Sequence, residues 1–146
     1  MNSTASVINN LPVFSAFEAS KLNEQVDVLL SDCREQLNAL LTQGDFTWNA
    51  LIQPLEDLDV EIGAIWGIAG HLHSVMNSDE LREAYNEAQP KITEFYTELG
   101  QNRALFEALQ TLENSVAYTG LSKEQQRVVE NTLRSLKLSG VSLDEE

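Results

Sequence analysis

The chain has 146 residues, 42% of them apolar, and sets 9 Lys and Arg against 23 Asp and Glu, a formal net charge of −14. A chain of this length folds as one domain that buries about 68–70% of the surface its unfolded form exposes, and the apolar share argues against a disordered polymer. The negative field speaks against nucleic acid and anionic membrane surfaces as partners, and the lone cysteine, Cys33, excludes an internal disulfide.

The opening MNSTASVINN lacks the basic and apolar regions of a secretory signal. No run of about 20 apolar residues suits a membrane span. The expectation is a cytoplasmic protein. Residues 1–14 read as an extended arm, because the residue before Pro12 is biased away from helix. Ser15 and Glu18 have capping-box spacing, so a first helix is predicted to begin within 15–20. Its stripe is Leu22, Val26, Leu29, Leu30, Cys33, Leu37, Leu40 and Leu41, and Gly44 ends it. Cys33 on that stripe reads as a buried, inert thiol.

Asp45 or Thr47 can cap a second helix, with Trp48, Leu51, Ile52, Leu55, Leu58, Ile62 and Ile65 inward. Pro54 would kink it unless the helix starts just before that residue. The segment GAIWGIAG from Gly63 to Gly70 carries three glycines, which weaken a helix and would admit another helix closely. Helix is predicted to persist to about Met76. Asn77 and Glu80 form a second capping-box pair. The third helix then buries Leu81, Tyr85, Ala88, Ile92, Phe95 and Leu99, with Pro90 as another kink. A fourth helix spans about 102–114 and AYTG forms a turn. Ser122 and Gln125 cap a fifth helix with Val129, Leu133 and Leu136 inward. The predicted fold is all-α, an antiparallel bundle of about five helices kinked near Pro54 and Pro90. It divides into the arm 1–14, a bundle domain 15–138 and a polar tail 139–146.

Candidate chemistry is sparse. His71 and His73 suggest a metal, but residues two apart on a helix point about 200° away from each other. Glu56, Asp57, Asp59 and Glu61 read as a solvated face rather than a cation site, as do Glu80, Glu83 and Glu87. Lys123, Arg127, Arg134 and Lys137 form a basic stripe, read as an exposed face pairing with nearby carboxylates. Trp48, Trp66, Tyr85, Tyr96 and Tyr118 have core spacing. There is no phosphate-binding glycine loop, no Ser/His/Asp arrangement and no cysteine cluster. No catalytic, cofactor-binding or metal residue is assigned.

Four stretches carry a resemblance: LPVFSAF, DCREQLNALLTQGDFTWNALIQPLEDLD, HLHSVMNSDELREAYNEAQPKITEFYTELG and TLRSLKLSGVSL. In this order and spacing they resemble the opening region of the oligopeptidase A group, within the thimet-oligopeptidase-like family of zinc metallopeptidases. The resemblance covers about Leu11 to Leu143. It implies an almost wholly helical enzyme whose two lobes enclose a channel that admits short peptides. There, zinc and a glutamate act from a helical His-Glu-x-x-His motif. That motif is absent here, so no zinc ligand carries over and the cofactor is implied only for the full-length enzyme. The expected role is noncatalytic: to shape the channel, with the remaining catalytic region as partner. Helices built to pack on that region should show an uncovered apolar patch. Ile65, Trp66 and Ile68 are the candidates, and a homodimer of the fragment through them is predicted. The competing readings are a stand-alone helical module for binding peptides or proteins and a carboxylate-rich metal bundle.

Overall fold

The computed structural model describes residues 7–8 and 11–141, and its long elements are all helical. The α-helices among the described residues are α1 (Leu22–Gln43), α2 (Gln53–Val75), α3 (Asp79–Gly100), α4 (Arg103–Glu113), α5 (Val116–Thr119) and α6 (Lys123–Leu138). The fold is all-α. One short addition lies in the arm, where the sequence gives no strand signal: Val7–Ile8 pairs antiparallel with Leu11–Pro12. The described chain divides into two compact units. Unit 1 is Met1–Arg34 with Asp57–Glu94, and unit 2 is Glu35–Glu56 with Phe95–Glu146.

Unit 1 is entered through two 3₁₀ turns, Phe14–Ala16 and Ala19–Lys21. Ser15 sits inside the first turn, so it cannot act as an N-cap, and the box expected from Ser15 and Glu18 does not form. Glu18 pairs instead with Lys21 at 2.8 Å. Leu22, Val26, Leu30 and Cys33 of α1 are buried with Leu58, Ile62, Ile68 and Ala69 of α2 and Leu81, Ala88 and Ile92 of α3. Each large aliphatic side chain buried in this way contributes ~1.5–3 kcal/mol. The α3 cap is Ser78, whose hydroxyl accepts the Leu81 N–H at 3.1 Å. This lies one residue beyond the expected Asn77. The shift puts Asp79 and Glu80 in the first turn, where the helix dipole favours carboxylates. The helix runs through Pro90 to Gly100.

In unit 2, Gly44 takes a left-handed φ of 74° after α1. Thr47, not Asp45, then caps the next segment by accepting the Ala50 N–H at 3.3 Å. Trp48–Ile52 form a π-helical turn, with the Gln53 N–H reaching back five residues to the Trp48 carbonyl. This is how the chain accommodates Pro54, the second residue of α2. Proline has no N–H for the carbonyl four residues back, and that carbonyl, on Ala50, accepts the Gln43 side-chain amide at 2.8 Å instead. The core holds Leu37, Leu51, Ile52, Leu105, Leu109, Leu112, Val129, Leu133 and Leu136.

Local chemistry closes the ends of this unit. Asn102 caps α4 through the Leu105 N–H at 2.9 Å. The predicted turn AYTG is instead a single helical turn, α5, capped by Ser115. Ser122 and Gln125 form both halves of their capping box, at 3.2 and 3.0 Å. The expected polar tail needs correction at its start. Gly140, with φ 92°, donates to the Lys137 carbonyl, and Val141 donates to that of Leu136. These bonds form a Schellman cap, and Val141 is buried in the core. Residues 142–146 lie outside the described residues. Gly100 lies close to the end of α6: a Cβ there would meet Ser139 Oγ at 3.0 Å and Ser139 Cβ at 3.2 Å, so the serine would have to give way.

Candidate functional surface and family

The middle of α2 in unit 1 carries the most distinctive side-chain arrangement. Trp66 and His73 are seven residues apart, two turns and about 10.5 Å along a helix axis, so they share a face with room for one ring between them. Tyr85 of α3 fills that room. Its ring lies 4.3 Å from Trp66 at an interplanar angle of 12°, and 4.3 Å from His73 at 19°. Stacked pairs of this kind add ~0.5–1.5 kcal/mol beyond their buried area. His71 points elsewhere, its ring 5.0 Å from Phe14. The two imidazoles therefore serve separate ring contacts, as the 200° argument requires. Among the described residues, no three His, Cys, Asp or Glu side chains gather to hold an ion.

The patch predicted from Ile65, Trp66 and Ile68 is narrower than expected. Ile68 is only 6% exposed and belongs to the core. Ile65 and Trp66 are half-buried, and Trp66 spends a face on Tyr85. The glycines nearby also behave differently from the expected close approach. A Cβ at Gly63 or Gly67 would meet nothing within 4 Å, and one at Gly70 would make ordinary contact with Tyr85 at 3.8 Å. Exposed glycines inside a helix weaken it by ~1 kcal/mol each relative to Ala, with no packing return within the described residues. Val60 and Val75, on the same helix, are largely exposed.

The remaining candidates resolve into supporting roles. Cys33 is fully buried. Burial first, then the carboxylates of Glu61 and Asp32, pushes its thiol from 9.0 up to about 11, with Arg34 opposing. An acidity that weak yields almost no thiolate near neutrality, and no imidazole is among its charged neighbours. Glu56, Asp57, Asp59 and Glu61 are all exposed on α2, as are Glu80, Glu83 and Glu87 on α3.

In the basic stripe of α6, Arg127 pairs with Glu130 at 3.3 Å and Lys137 lies over the Phe106 ring at 5.8 Å. Lys123 and Arg134 are exposed. Tyr118 donates to Glu130 at 3.3 Å; burial and then that carboxylate raise its phenol. The aromatics expected in the core sit on its margins: Trp48, Trp66, Tyr85 and Tyr118 are half-buried and Tyr96 is exposed.

Two polar ties between α1 and α3 in unit 1 escaped the sequence reading. Lys91 bonds Asp27 at 2.8 Å, and the Asn23 amide donates to the Ala84 carbonyl at 3.1 Å. No sequence signal marks such pairs, because 64 and 61 residues separate the partners. No helix among the described residues is long and apolar enough to cross a membrane.

The described residues thus combine a buried thiol with histidines that each contact a ring. Comparison with known proteins supplies the family. The family model for the neurolysin/thimet oligopeptidase N-terminal domain matches residues 26–146. The chain is 38% identical to oligopeptidase A of Haemophilus influenzae over 95% of its own length and 20% of that protein's. It is 39% identical to oligopeptidase A of Escherichia coli, over 93% and 20%. With the organellar oligopeptidase A of Arabidopsis thaliana, chloroplastic/mitochondrial, the identity is 31% over 94% and 17%. The chain spans about a fifth of the length of these curated relatives. The chain belongs to the neurolysin/thimet oligopeptidase family through its match to that family's N-terminal domain.

Proposed function

We propose that this chain is the noncatalytic N-terminal helical domain of an oligopeptidase A-like zinc peptidase, a cytoplasmic enzyme that degrades short peptides, and that it walls part of the substrate channel. The observation that carries this reading is the family match across residues 26–146, joined to relatives named oligopeptidase A. Two features of the chain support it. The sequence contains no His-Glu-x-x-His, and among the described residues no three His, Cys, Asp or Glu side chains gather to hold an ion. The residues described do not fit zinc, so zinc and the water it would activate fall to the following catalytic region. This domain would contribute shape: rigid amphipathic helices that limit what reaches the reacting centre.

The test compares two polypeptides on a fluorogenic short peptide with zinc present: the full product of the gene and the 146-residue chain. Cleavage by the first and none by the second is the expected result. Hydrolysis by the 146-residue chain that disappears when one of its own side chains is replaced would overturn the proposal.

A further inference from the structure

We draw no further inference here: the strongest candidate, the exposed basic face of α6 in unit 2 formed by Lys123, Arg127, Arg134 and Lys137, is a surface patch for which nothing in the structure shows what covers it.

Discussion

The two units use similar helices to different ends. In unit 2 the buried side chains form one cluster from Leu37 to Val141. Its helix ends close on their own residues, by the Asn102 cap, the Ser122–Gln125 box and the Schellman turn at Gly140. Unit 1 also has a buried aliphatic core, but it relies on ties that span the chain: Lys91 with Asp27, Asn23 with Ala84, and Tyr85 between Trp66 and His73. Both units leave apolar side chains in water, Val60 and Val75 in unit 1 and Val116 and Leu138 in unit 2, but the open glycines Gly63 and Gly67 lie inside a helix of unit 1. Unit 2 closes its helix ends by local rules, whereas unit 1 ties its helices together through partners distant in the sequence.

Substitutions can break or sharpen this contrast. Leu109→Ala removes a side chain with 0% exposure from the unit 2 core, and should cost ~2–5 kcal/mol in urea unfolding. A loss under ~1 kcal/mol would mean the cluster is looser than its burial implies. In unit 1 the Cys33 thiol supplies a pH probe. Its folded acidity, about 11, lies above the ordinary 9.0, so the folded state favours the protonated form. Stability is then full below pH 9 and declines as pH rises toward 11, by on the order of 2–3 kcal/mol. Cys33→Ala should flatten that alkaline decline, leaving only what Tyr118, whose phenol is also raised, contributes at still higher pH. An unchanged slope would contradict the burial argument.

Smaller effects should separate the two surfaces. Ser122→Ala removes half of the α6 box and should lower stability by ~1 kcal/mol, read by thermal melting. Gly67→Ala should do the opposite in the 146-residue chain. Its Cβ meets nothing within 4 Å, so the gain in helix propensity should appear as up to ~1 kcal/mol of added stability. Destabilisation by Gly67→Ala in this chain would show that α2 already packs against a neighbour there.

By itself the sequence determined the all-α class, the bounds of the long helices to within a few residues, the stop at Gly44 and the α6 capping box. These depend on neighbours three or four positions apart, a range over which residue type governs geometry. The family was legible too, because ordered stretches of particular residues survive where composition would not distinguish one helical protein from another. The Val141 anchor was also within reach: a glycine followed by an apolar residue just past a helix end is a Schellman signal, overlooked among polar neighbours. Tertiary structure alone decided that Ile68 lies inside while Val60 lies outside, that Tyr85 takes the place between Trp66 and His73, and that Lys91 meets Asp27. Each of these depends on how one helix is rotated against another. A periodic apolar stripe sets that rotation only within a broad arc, and contacts between residues some sixty positions apart settle the rest.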